Sequence, residues 1–187
     1  MSFELPEFIN IIVNAGDSRD GLGATIGQSL PNFGRVAEES RGRTVAMVNL
    51  YTDADSIGDL RKRDRSLFTD ATFAYASDDP AVGRLGTVLH EATHNLGPYG
   101  SYKVDGKLPE TIFGGATDAI LEELKAQTGA LYYLPFLKAK GFMSDDDVRR
   151  GYVANISWAF GHIARGMFDG AGHPKTYSQL AAIQVGE

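Results

Sequence analysis

Apolar residues recur along this chain with two different periods, and the change of period divides it into elements. Near the N-terminus the runs are short, aliphatic and β-branched. Phe8 to Val13, closing on Asn14-Ala15-Gly16-Asp17, and Thr44 to Tyr51 read as strands. From there on the spacing is helical. Thr52-Asp53-Ala54-Asp55 caps a helix expected from about Ser56 to Phe68, whose charged stretch reads as a solvated face. Asp78-Asp79-Pro80 supplies an N-cap and a first-turn proline, and Gly97-Pro98 a stop, which predicts a helix from Pro80 to about Leu96. Val82, Leu85, Leu89, Ala92 and Leu96 form its apolar stripe, the expected core face.

A second helix is predicted from about Thr117 to the region of Pro135, with Ile120, Leu124 and Leu131 as its apolar side. Pro135 is expected to kink or interrupt it, because proline lacks the N–H and crowds the preceding turn, and Gly141 to end its continuation. Ser144 and Asp145-Asp146-Asp147 open a third amphipathic helix carrying Val148, Tyr152, Ile156, Ala159 and Ile163. Tyr177 to Val185 opens a last one. The pattern predicts an α+β fold, predominantly α-helical, with a few supporting N-terminal strands.

The polar residues that interrupt the second period carry the chemistry. His90-Glu91-Ala92-Thr93-His94 is a His-Glu-x-x-His pattern, and the chain holds four histidines in all. Residues four apart share one side of a helix, so both imidazoles reach one zinc ion while Glu91 is left beside the water it activates. His90 and His94 share a line with Gly83 and Thr87, a face small enough for another element to approach closely.

A catalytic zinc needs a third protein ligand, and Glu122-Glu123 on the next helix offers two candidates. Glu122 points nearly opposite the apolar side. Glu123 sits at its edge, on a line with Ala116, Ala119, Gln127 and Ala130, so Glu123 is the expected ligand. Gln127, one turn on, is placed to hold the outer ring nitrogen of a ligating histidine. His162 flanks the stripe of the third helix, as a packing histidine or as a donor to the oxyanion. His173, in Gly-Ala-Gly-His-Pro, reads as a loop residue. The loop from Gly97 to Gly115 carries Tyr99 and Tyr102, which read chiefly as packing residues.

HEATHNLGP, followed by EELKAQTGALYYL, resembles the pair of zinc-binding motifs of the dipeptidyl peptidase III family and its bacterial relatives. The resemblance implies zinc held by His90, His94 and Glu123, and Glu91 as the catalytic base. It implies a metallopeptidase acting on a peptide substrate. Gln127 stands where many members carry an acid. Looser resemblance runs on to Gln184, covering the zinc half of the catalytic lobe of longer, two-lobed proteins. Some bacterial relatives are labelled Nudix hydrolases, and this chain has no Nudix box. Two rival readings stay open, a non-peptidase zinc hydrolase and a zinc-bearing binding module with an incomplete cleft.

Composition narrows the remaining classes. At 187 residues and 43% hydrophobic the chain is expected to form one domain, 1–187, either complete or excised from a two-lobed protein. A net charge of −6, with Arg61-Lys62-Arg63 the longest basic run, argues against nucleic acid and anionic membranes as partners. Without cysteine there are neither disulfides nor thiol catalysis. Met1 to Asn10 lacks a basic n-region, so no signal peptide is read and a cytoplasmic location is expected. Gly21, Gly23 and Gly27 lack the lysine and helix start of a phosphate loop and read as turn glycines.

Overall fold

The capping residues place the helices where the sequence puts them. The structure, a computed structural model, describes residues 7–10, 27–30, 43–76, 79–94, 103 and 105–187. The Gly97-Pro98 stop, Leu96, Tyr99, Tyr102, Gly21 and Gly23 lie outside the described residues. Helix α1 (Ala54–Leu67) starts where the Asp53 carboxylate accepts the Ser56 N–H at 2.8 Å. After the single turn α2 (Asp70–Phe73), helix α3 (Pro80–His94) opens with the Asp79 carboxylate accepting the Ala81 N–H. The turn α4 (Pro109–Ile112) precedes the long α5 (Gly115–Ala139). Helix α6 (Asp145–Ile163) begins with a capping box in which Ser144 and Asp147 exchange hydrogen bonds, and α7 (Thr176–Gly186) follows.

The second predicted strand is shorter than its apolar run suggests, and positions 11–17, the end of the first and its closing turn, lie outside the described residues. Strand β3 (Arg43–Met47) is central, pairing in parallel with β1 (Glu7–Ile9) and antiparallel with β2 (Gly27–Leu30). β2 lies inside the glycine-containing stretch read as a loop. β3 stops at Met47 because the chain coils into a 3-10 turn, Val48–Tyr51, which carries the Tyr51 ring onto α3. A Cβ at Gly83 would lie 2.8 Å from that ring, so the small face of α3 is indeed closely approached, and its partner is Tyr51. Tyr51 also hydrogen-bonds Thr87. Together with direct packing of β2 and β3 on α3, this makes the small sheet a buttress for the motif helix.

Helices α3, α5, α6 and α7 pack on one another, and the deepest apolar side chains are Ala126, Ala130 and Leu134 of α5, Val148, Val153 and Ala159 of α6, and Leu180 and Ala181 of α7. The expected apolar sides of α3 and α5 are only half-buried, at Val82, Leu85, Leu89 and Ala92 and at Ile120, Leu124 and Leu131. The reason is steric: the two helices meet through small residues, and a Cβ at Gly129 would overlap the Thr93 methyl and sit 2.7 Å from its hydroxyl. Helix axes that close bury whatever lies along the seam, polar or not.

Two further expectations change. α5 runs through Pro135 to Ala139 without interruption, held by Leu134, against which α6 packs so closely that a Gly151 Cβ would come within 2.8 Å. Gly141, at φ 81°, then terminates it as a left-handed cap. The charged stretch of α1 is not uniformly solvated. Asp64 is buried and accepts the Ser157 hydroxyl of α6, while Arg63 Nε donates to the same oxygen at 3.1 Å. Among the described residues, no helix is long and apolar enough to cross a membrane.

Candidate metal centre

The seam between α3 and α5 gathers the sequence-predicted cluster. His90 and His94 lie one turn apart on α3, their rings edge to face with centroids 4.9 Å apart. They are 7% and 3% exposed, and Glu91 between them is 6% exposed, an unusual depth for a carboxylate. Across the seam Glu123 Oε2 lies 3.1 Å from His90 Nε2 and 3.7 Å from His94 Nε2. One ligand atom from each of His90, His94 and Glu123 falls within 4.8 Å of the others.

The outer ring nitrogens are engaged as well. His90 Nδ1 donates at 2.8 Å to Gln127 Oε1, which can only accept, and Nε2, facing Glu123 Oε2 at 3.1 Å, is the ring nitrogen turned to the cluster and left for a metal. His94 Nδ1 donates to Glu122 Oε1 at 2.9 Å, and Lys125 Nζ holds that same oxygen at 2.8 Å. Two imidazole nitrogens and one carboxylate oxygen, each ring tied from behind, form a borderline-soft set that fits zinc and leaves a fourth position open. Glu122 is the member whose role the helical wheel does not show. Its azimuth is correct, but the close approach of α3 brings His94 out to meet it.

Charge in the seam is set by mutual proximity. Burial pulls His90 toward neutrality, yet the hydrogen bond and charge of Glu123, the charge of Glu91 and the Gln127 contact outweigh it and raise its pKa. Burial likewise pushes Glu122 and Glu123 up, but His94 and Lys125 for the first, and His90, His94 and Tyr177 for the second, bring both below the usual carboxylate value. Glu91 goes the other way. Burial, helped by Glu123, raises its pKa against the opposing pull of both histidines. It is the most readily protonated carboxyl of the three.

Tyr177, on α7, also belongs to this site, and no motif in the sequence announces it. Its ring centroid is 6.4 Å from that of His90. Burial and the charges of Glu123 and Glu91 drive its pKa far upward, so it stays a donor. His162 packs against Tyr177, ring centroids 5.3 Å apart, and against Trp158 at 4.5 Å. Burial and the charges of Arg165 and Arg63 pull its pKa down to about 4. His173 is exposed and bound to Asp169 in the loop before α7.

No protein-family model matches the chain. Among curated proteins it is similar to Nudix hydrolase 3 of Arabidopsis thaliana, 26% identical over 183 residues that cover 88% of this chain and 21% of that protein. Among solved structures it is similar to DPP III from Caldithrix abyssi, with a TM-score of 0.67 and 21% identity over 85% of this chain and 29% of the other. The chain has a DPP III-like fold. It spans about a fifth of the curated relative and under a third of the structural one.

Proposed function

We propose that this chain is the zinc-binding part of a metallopeptidase that hydrolyses peptide bonds. The observation that carries the reading is the seam itself: His90 Nε2, His94 Nε2 and Glu123 Oε2 converge, with Glu91 buried between the two histidines. Zinc bound there supplies Lewis acidity, polarising the scissile carbonyl and making water acidic near neutral pH. The chain's own residues do the rest. Gln127 and Glu122 hold the imidazoles with their outer nitrogens protonated, so both inner nitrogens face the same point. Glu91, whose environment favours taking up a proton, accepts one from the attacking water and returns it to the leaving amine nitrogen.

The DPP III-like fold supports the peptidase reading, and the name of the plant relative raises a different hydrolase. The His90, His94 and Glu123 cluster in the seam favours the zinc chemistry. The reading predicts about one zinc per purified chain, lost in His90→Ala and in His94→Ala. Glu91→Gln should keep the metal while cleavage of a mixed peptide library falls by about two to four orders of magnitude. Elemental analysis and mass-spectrometric detection of new amino termini read both. Undiminished metal in the histidine variants rejects the site, and equal turnover by Glu91→Gln rejects the base. Zinc-dependent ester turnover without peptide cleavage indicates a non-peptidase hydrolase, and zinc without any turnover a binding module.

A further inference from the structure

We infer that Lys125 is a positioning residue of the metal site, holding the Glu122 carboxylate so that the oxygen backing His94 stays in place. The inference rests on the zinc reading above and deepens it, giving a task to a cation of α5 that ligates no metal itself.

Two contacts of the carboxylate converge on one atom. Glu122 Oε1 accepts from His94 Nδ1 across the seam at 2.9 Å and lies 2.8 Å from Lys125 Nζ, three residues on along its own helix. The two ends differ in depth. The His94 side chain is 4% exposed, whereas that of Glu122 is 30% exposed and ends a flexible stem. An ionised carboxylate so placed is drawn toward water, and its departure would leave a buried N–H without this acceptor. The ammonium on Oε1 opposes that departure.

The other histidine shows why the lysine is needed here. His90 is backed by the amide of Gln127, a neutral acceptor with no charge to draw it outward. Glu122 carries a charge, and Lys125 balances it, so each ring is backed by a group without unbalanced charge. Depth also sets this pair apart from ordinary helix-surface pairs. Lys62–Asp59 and Arg149–Asp146 have the same spacing of three, yet their side chains are more than half exposed, and such pairs contribute little. Lys125 and Glu122 are less than a third exposed, and their pair leads to a histidine of the cluster. Ala126, the next residue, is fully buried in the bundle, which fixes the backbone that carries the lysine.

Two roles for Lys125 predict opposite signs. A cation acting on zinc by its charge alone would repel the metal, so its removal would tighten binding. A cation that keeps Glu122 on His94 favours binding, so its removal weakens it.

The test is a double-mutant cycle. Lys125→Met keeps the aliphatic stem and removes the charge, and Glu122→Gln puts an amide like that of Gln127 behind His94, which needs no counter-charge. Zinc affinity is measured by competition with a chromophoric chelator, and the visible spectrum of the cobalt-substituted protein reports ligand geometry. Lys125→Met should weaken zinc about tenfold and shift the cobalt bands, with urea unfolding still cooperative, and Lys125→Arg should recover part of the affinity. In the Glu122→Gln background the same Lys125→Met change should alter affinity by less than about twofold. Lys138→Met, which breaks an ion pair with Asp145 near the far end of α5, should match the wild type. Lys125→Gln repeats the comparison with a polar tip should the methionine variant unfold. Zinc bound by Lys125→Met as tightly as by the wild type, or more tightly, overturns the inference and leaves the zinc reading standing, as does an equal loss in both backgrounds. A wild-type chain that takes up no zinc overturns both.

Discussion

The α3–α5 seam and the α6–α7 junction each enclose histidine, and Tyr177 touches both. In the seam, burial is opposed by carboxylates on the facing helix, and His90 ends with a raised pKa. In the junction the neighbours are Trp158, Tyr177 and the cations Arg63 and Arg165, so nothing opposes burial and His162 falls to about 4. One side of Tyr177 therefore welcomes positive charge and the other repels it. Depth alone does not explain the difference, since the seam histidines are the more buried. What separates them is the sign of the charge that the packing partner supplies, which favours positive charge in the seam and makes the junction a neutral wall behind it.

Acid separates the two regions most strongly. His162 has a folded pKa below the unfolded value of 6.5, so between pH 6.5 and about 4 the unfolded chain binds a proton that the folded chain refuses. Its contribution is fully present above pH 6.5 and is lost as pH falls through that window, about 3 kcal/mol in all. His162→Asn should therefore lose about 2–3 kcal/mol less than the wild type between pH 7 and pH 4.5, with zinc stoichiometry unchanged. Urea unfolding of both proteins at the two pH values reads the difference. Equal acid losses would mean that His162 is solvated and the junction is no neutral wall.

A change that touches no charge should disturb only the seam. Gly129→Ala pushes a methyl into Thr93, whose own hydroxyl is committed to the Leu89 carbonyl at 2.7 Å and whose side chain is buried. Overpacking of this kind costs about 1–3 kcal/mol, more than the helix propensity gained by replacing glycine. The helices must part, and the distance from Glu123 to both histidines grows. An unfolding free energy from urea titration lowered by about 2 kcal/mol and zinc bound at least about tenfold more weakly are expected together. Lost stability with intact zinc affinity would show that the seam's spacing does not set the ligand geometry.

The same seam marks where sequence reading stopped. Caps were legible because they are local: Asp53 with Ser56, Asp79 with Ala81, and Ser144 with Asp147 each act within four residues. His90, His94, Glu123 and Gln127 could be brought together on paper because helical period fixes azimuth. Which azimuth would be buried was not legible, because that depends on how near the partner helix comes. The approach is set by Gly129 against Thr93, two residues 36 positions apart. Glu122, opposite the apolar side of its helix, and Asp64, in a stretch that reads as a solvated face, are drawn into contacts for this same reason. Their partners, His94 and Ser157, lie on other helices. Tyr177 gave no signal because an aromatic at an amphipathic helix start looks like any packing residue until its neighbours are known.

The smallest expected effect lies on the motif helix itself. Gly86 sits in α3 four residues before His90, on an exposed turn where an added Cβ meets nothing within 4 Å. Glycine inside a helix costs backbone entropy that alanine does not, because the unfolded chain with alanine has fewer conformations to lose. With no neighbour to displace, Gly86→Ala should gain about 0.5–1 kcal/mol and leave zinc affinity within about twofold of wild type. Gly83, one turn earlier, is the informative contrast. There a Cβ would lie 2.8 Å from the Tyr51 ring, and the hydroxyl of that ring is bonded to Thr87, so the same substitution should destabilise. Urea midpoints of the two variants read the sign directly. A stability loss in Gly86→Ala would mean that this turn of α3 is covered, and the contrast between its open and its closely packed positions would then be wrong.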